Sequence, residues 1–220
     1  MVLLNLPTVE TLIDVPIFGG SGRTKMQRIE SAYDYLLSRS DEIDLVNVSW
    51  GASRRVQAID RLHNELEQSG VNAIVASGNT DQQTGSPATA ERAFSVAAVT
   101  EAGRMTRFSS PTDDVSALGR NIAVPKAPGT QMGPDLPEGH ADTVIEEIGG
   151  DWVVVSGTSF AAPIALGYSG PLMTAHPQFF AAGELDLQEH FERAFAATAH
   201  DVTGTSEDGE GYIDFQAAQK

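Results

Sequence analysis

Ser159 is the side chain of this 220-residue chain with the clearest means to do chemistry. It lies in Val153-Val154-Val155-Ser156-Gly157-Thr158-Ser159-Phe160-Ala161-Ala162-Pro163, where a β-branched run stops at Ser156-Gly157 and a small-residue helix starts behind Ser159. That pattern puts a hydroxyl at a helix N-terminus, where the field of the aligned peptide dipoles favours negative charge. A serine so placed is a candidate nucleophile. The same pattern also suits a plain N-cap, because Ser and Thr are ordinary helix-starting residues. A base able to take the hydroxyl proton would separate the two readings.

Five histidines are available for that role. His63 follows Leu62 in a helical stretch and reads as a surface or core-edge residue. His140 sits in the acidic run Glu138-Gly139-His140-Ala141-Asp142 and is the histidine expected nearest a cleft mouth, with a solvated loop residue as the plainer reading. His190 and His200 fall on or just after a C-terminal helix and read as exposed. No two histidines have the His-x-x-x-His spacing of a helical metal site, so no metal ligand is assigned. Carboxylates at 112–114 or 135–147 could hold a cation weakly, but they lack EF-hand spacing.

The elements that must position Ser159 can be read from periodicity. Thr11–Phe18 reads as a strand and Gly19-Gly20-Ser21-Gly22 as a turn. Thr24 is the expected cap of a helix in which Met26, Ile29, Tyr33, Leu36 and Leu37 recur at helical spacing. Asp44–Trp50 is a strand ending at Gly51. Ser53 is expected to open a second helix carrying Val56, Ile59, Leu62 and Leu66 on one face, with Gly70 closing it. Val71–Ala76, Ser95–Val99, Ile122–Val124 and Val153–Val155 are further strands. Residues 130–150 read as a loop, and a last helix runs roughly over Asp186–Ala199.

Strands alternating with helices predict an α/β fold, a mostly parallel sheet with helices on both faces. In such sheets functional groups gather at the carboxyl ends of strands. Ser49-Trp50-Gly51, Ser77-Gly78-Asn79 and Ser156-Gly157-Thr158-Ser159 all end strands with small or polar residues. Together they offer a nucleophile, an amide donor for an oxyanion, and a backbone cleft for an extended peptide.

Composition narrows the partners. Apolar residues make up 41%, which suits a globular chain, read as a single domain over 1–220. No apolar run is long enough to span a membrane. Met1–Pro7 lacks the basic start of a signal peptide, reads as a strand, and begins at an expected translation start. The absence of cysteine excludes disulfides and thiolate metal sites. Thirty acidic residues face 14 basic ones, a formal charge of −16, and only Lys25, Lys126 and Lys220 are lysines. That balance argues against nucleic acid and anionic membranes as partners. It suits a soluble protein of a high-salt setting, where self-repulsion is screened.

The motifs, taken together, resemble the subtilisin family of serine proteases. Gly157-Thr158-Ser159-Phe160-Ala161-Ala162-Pro163 is similar to the family's nucleophile motif, Ala76-Ser77-Gly78-Asn79 to the strand ending in the oxyanion asparagine, and Asn47-Val48-Ser49-Trp50-Gly51 to the strand lining the substrate cleft. Phe108-Ser109-Ser110, Ala127-Pro128-Gly129 and Gly209–Ala218 follow in family order. The resemblance implies a subtilisin-like three-layer sandwich, Ser159 as nucleophile, and Asn79 with the Ser159 N–H as oxyanion hole. It also implies substrate binding by Ser49, Trp50, Gly51, Ala76, Ser77 and Gly78, and a structural place for His176. Calcium is a possible family cofactor with no site assigned. Sedolisins, which use Glu and Asp in place of His, carry a similar Ser motif but have Asp where this chain has Asn79.

In the subtilisin family the catalytic Asp and His precede the segment matching Leu12–Phe18, so this chain matches only the C-terminal two-thirds. Asp14 lies inside the later strand and does not replace the missing acid. The missing first strand is central in the family's sheet, and its place is expected to be filled by Met1–Leu6 or by another chain, unless processing removed the segment. The expectation is a degenerate or partial peptidase, inactive alone. It would act as a structural or binding module of a viral or cell-surface assembly, or as half of a site completed by a second chain supplying the strand, Asp and His. An active peptidase with a base from elsewhere, and a non-enzymatic peptide-binding scaffold, are the alternatives. The high-salt reading predicts that lowering salt from molar to dilute buffer lowers the melting temperature and promotes association. Light scattering and thermal melts showing a stable, monodisperse protein in dilute buffer would contradict it.

Overall fold

Four short apolar segments form the parallel ladder that positions everything else. In the computed structural model residues 11–19, 23–81, 83–125, 146–147, 152–175, 199–200 and 212–213 are described. The elements are α1 (Met26–Leu37), β1 (Leu45–Val48), α2 (Gln57–Gln68), β2 (Asn72–Ala76), β3 (Phe94–Val99), β4 (Val115–Leu118), β5 (Ile122–Pro125), β6 (Glu146–Glu147), β7 (Trp152–Val155), α3 (Thr158–Ala175), β8 (Ala199–His200) and β9 (Tyr212–Ile213). One sheet has the order β1-β2-β3-β4-β9-β8, parallel from β1 through β9, with β8 antiparallel at its end. A second sheet, β5-β7-β6, is antiparallel.

Alternation along the strands sorts side chains into two cores. Ala73 and Val75 of β2 face a cluster with Ile29, Tyr33 and Leu36 of α1 and Ile59, Leu62 and Leu66 of α2. Ile74 and Ala76 face the opposite cluster, with Ala161, Ala162, Ala165 and Leu166 of α3. The result is three layers, and β2 and β3 are buried along their whole length, as parallel strands covered on both faces must be. Among the described residues no helix is long and apolar enough to cross a membrane.

Several local expectations are corrected. Thr11–Phe18 forms no strand, although Ile13, Val15 and Ile17 alternate with exposed neighbours as a strand's residues would. A strand needs a ladder as well as a pattern, and the described residues pair nothing with this segment. Thr24 does not cap α1: its hydroxyl donates to the Ile17 carbonyl, and Lys25 is the cap residue without a side-chain bond. Ser53 does not open α2, whose cap is Val56, its N–H donating to Ser86 Oγ at 2.7 Å. Ile122–Val124 and Val153–Val155 belong to the second sheet, because each pairs antiparallel with the other. Ala199 lies in β8 rather than at the end of a helix, and residues 186–198 lie outside the described residues. So do His140, His176, residues 1–10 and most of the 130–150 loop, within which Glu146–Glu147 forms β6.

His63 is fully buried, which overturns its reading as a surface or core-edge residue. Its Nδ1 meets the Tyr33 hydroxyl at 3.2 Å, linking α2 to α1. Burial, with the nearby Glu67 and Asp60 carboxylates, keeps the Tyr33 phenol protonated. A protonated hydroxyl can donate to Nδ1 or accept from it, so the bond forms with either neutral tautomer of the ring. Burial pushes the His63 imidazole down from 6.5 to about 4, against the opposing pull of Asp60. At neutral pH the ring is uncharged, so the 3.7 Å approach of Nε2 to Glu67 is no ion pair. A depressed folded pKa stabilises above the unfolded value and loses that contribution as pH falls. The fold should therefore weaken between pH 6.5 and about 4, by about 3 kcal/mol from this group when the loss is complete. Urea unfolding of His63→Gln across that range should show a shallower pH dependence than the parent, and an equal slope would refute the assignment.

Candidate active site

The turn Ser156-Gly157 delivers Ser159 to the head of α3. Gly157 has φ of +155°, a backbone region that other residues rarely adopt, and a Cβ there would lie 3.3 Å from Asn79 Nδ2. Its N–H donates to the Gly119 carbonyl at 2.8 Å, fastening the turn to the end of β4. The first N–H groups of any helix lack intrahelical partners. Here the Thr158 N–H donates to Asn79 Oδ1 at 2.9 Å, and the Thr158 hydroxyl donates to the same oxygen at 3.0 Å.

Those two bonds orient the Asn79 amide. With Oδ1 taken by these donors, Nδ2 donates to no partner among the described residues, the polarity an oxyanion site needs. Asn79 is itself carried on a turn just past β2. Gly78 there has φ of +117°, donates its N–H to Thr158 Oγ1 at 3.2 Å and accepts from the Ser110 N–H at 2.8 Å. Thr158 thus ties the head of α3 to the turn at Gly78 and Asn79.

Ser159 is half-buried, and its Oγ donates to the Ser49 main-chain carbonyl at 3.2 Å. Ser49 answers with Oγ donating to the Ser159 carbonyl at 2.8 Å. Ser49, Gly78 and Asn79 are thereby brought together around Thr158 and Ser159. Gly51 is exposed, and Trp50 is half-buried against the α1–α2 core. Ala76 pairs with Val96 within the sheet, and Ser77 is buried with its N–H on the Val96 carbonyl and its hydroxyl on the Ser110 carbonyl. Among the described residues none of these contacts brings an imidazole or a carboxylate to Ser159. His63 is committed to the α1–α2 core, and Asp14 is exposed.

Thr158, Asn47 and Ser110 stand inside the motifs quoted above, but the motifs give them no role of their own. Thr158 was legible in principle, as a hydroxyl in a first helical turn whose N–H groups need acceptors. Asn47 and Ser110 reach the site only through folding. Asp114, one of the carboxylates considered for a cation, is buried and accepts from the Ser95 N–H and hydroxyl at 2.7 Å. Burial pushes its carboxyl up while those bonds oppose the shift. Among the described residues no group of three or more His, Asp or Glu is arranged to hold a metal ion.

The Subtilase family model matches residues 9–212. The chain belongs to the subtilase family. Subtilisin of Bacillus pumilus is 24% identical over 98% of this chain and 70% of its own length. Subtilisin E of Bacillus subtilis (strain 168) is 23% identical over 98% of this chain, which spans only 51% of that relative. Among solved structures, a lanthipeptide protease superposes with a TM-score of 0.75 at 14% identity, covering 99% of this chain and 72% of its own. A cold-adapted subtilisin-like serine proteinase gives 0.62 at 20% identity over 86% of this chain and 60% of its own. These likenesses establish the subtilisin-like α/β fold. In that fold the Asn79–Thr158 clamp predicts a measurable structural cost. Asn79→Ala leaves two buried Thr158 donors without their acceptor and should lower the unfolding free energy by about 1–3 kcal/mol, measured in urea. An unchanged midpoint would show that the clamp is not formed.

Proposed function

We propose that this subtilase chain is the nucleophile and oxyanion half of a serine peptidase site, inactive alone, and that a partner segment supplies the acid and base. The observation that carries this reading is the partner of the Ser159 hydroxyl, the Ser49 carbonyl, which accepts a hydrogen bond but takes no proton. A serine without a base is a weak nucleophile at neutral pH. The oxyanion side is by contrast prepared, with Asn79 held by Thr158. A partner that adds a strand is supported by two features on one side of the sheet. Among the described residues β1 is the outermost strand on its side, and Val15 of the strand-patterned segment 11–18 packs against the same core as Val46 of β1 without pairing. A structural or peptide-binding module of a larger assembly is the form this function takes where no such partner is met. The substrate class is a peptide or protein, presented to main-chain groups around Ser49 and Gly51.

A fluorophosphonate probe tests the proposal because it requires an activated serine. The isolated chain should label no more than its Ser159→Ala variant. Adding a polypeptide that carries a subtilase's Asp and His segments should bring labelling at Ser159 and not in the variant. Labelling of the isolated chain at Ser159 would overturn the need for a partner.

A further inference from the structure

The Ser159 carbonyl has lost its helical partner. In an α-helix the C=O of residue i accepts from the N–H of residue i+4. Four residues beyond Ser159 stands Pro163, inside α3, which has no N–H and whose ring crowds that same carbonyl. The Ser49 hydroxyl fills the gap, donating to the Ser159 carbonyl at 2.8 Å. That hydroxyl is in turn oriented by Asn47, whose Nδ2 donates to Ser49 Oγ at 2.8 Å. A hydroxyl has one proton, so accepting from Asn47 leaves that proton aimed at Ser159. Asn47 lies in β1 and Ser49 directly follows that strand, so the nucleophile's backbone is registered against the end of β1.

We propose that Ser49 is a positioning residue for Ser159, its hydroxyl standing in for the amide that Pro163 removes. This role is distinct from substrate contact, and it rests on the reading of Ser159 as nucleophile only for its consequence in catalysis. Without the Ser49 hydroxyl, the crowded carbonyl loses that donor and no i+4 amide replaces it, which loosens the Ser159 peptide in the helix's first turn. The Ser159 side chain then moves out of the field at the helix N-terminus.

The test avoids any need for a base. Ser159→Cys gives the chain its single thiol, since the sequence contains no cysteine. The pH dependence of its alkylation by iodoacetamide reports how well the helix terminus stabilises the thiolate. In that background Ser49→Ala should raise the thiolate pKa and slow alkylation at neutral pH by about tenfold. Ser49→Thr keeps the hydroxyl and should keep the profile. Adding Pro163→Ala to Ser49→Ala restores an N–H at position 163 and should return the profile toward that of the parent, with Pro163→Ala alone as reference. A merely structural Ser49 would lower the melting temperature with no change in profile and no rescue, and either result overturns the proposal. If Ser49→Ala does not fold, the double variant decides: recovered folding supports the proposal, and an unfolded double variant refutes it. Fluorophosphonate labelling of the isolated chain would sink the partner requirement but leave this thiol result untouched.

Discussion

The hydrogen bonds that run from the first turn of α3 to the ends of β1 and β2 are the constraint on which the site depends. A helix N-terminus offers unpaired N–H groups, and in this chain a proline also leaves a carbonyl unpaired one turn in. Thr158 takes its bonds to Asn79 beyond β2, and Ser159 exchanges bonds with Ser49 beyond β1. Each bond is modest alone, of order 1 kcal/mol. Their joint effect is geometric: Ser159, Asn79 and the strand end at Ser49 cannot shift independently.

That joint needs a rigid floor. Small residues on α3, among them Ala161, Ala162 and Ala165, let the helix lie close on β2, β3 and β4. The opposite face is closed by α1 and α2, where the buried Asp60 carboxylate is tied off. Asp60 accepts from Arg55, Ser86 and Thr89, which pins the 86–89 loop to the start of α2. Asp114 is satisfied by Ser95 and Thr112. These groups serve the scaffold, and their chemistry is spent within it.

Much of this was legible along the chain. β2 and β3 are apolar runs bounded by polar turns, and α1 and α2 carry their core residues at helical spacing, so both kinds of element are written locally. Ser159 and Asn79 were legible because small polar residues end strands in the pattern a subtilase uses. The errors share a cause. Thr11–Phe18 has a strand's alternation without a ladder, Thr24 and Ser53 have cap chemistry without the cap position, and Val153–Val155 gives no sign of which sheet it joins. The burial of His63 is not legible in the sequence, because a single polar residue on a helix is buried only where a second helix covers it.

The sequence by itself determined the fold class, the order of the motifs and the identity of the nucleophile candidate, because these rest on local pattern and spacing. The tertiary structure decided what Ser159 is bonded to. A hydrogen bond between residues 49 and 159 spans a separation in sequence that no periodicity encodes, and it exists because β1 and α3 are packed on neighbouring parts of one sheet. The same packing set His63 against Tyr33 in the core and left the Ser159 hydroxyl donating to a carbonyl. Whether a serine is a cap or a nucleophile depends on what stands within hydrogen-bonding distance, and that distance is a property of the folded chain.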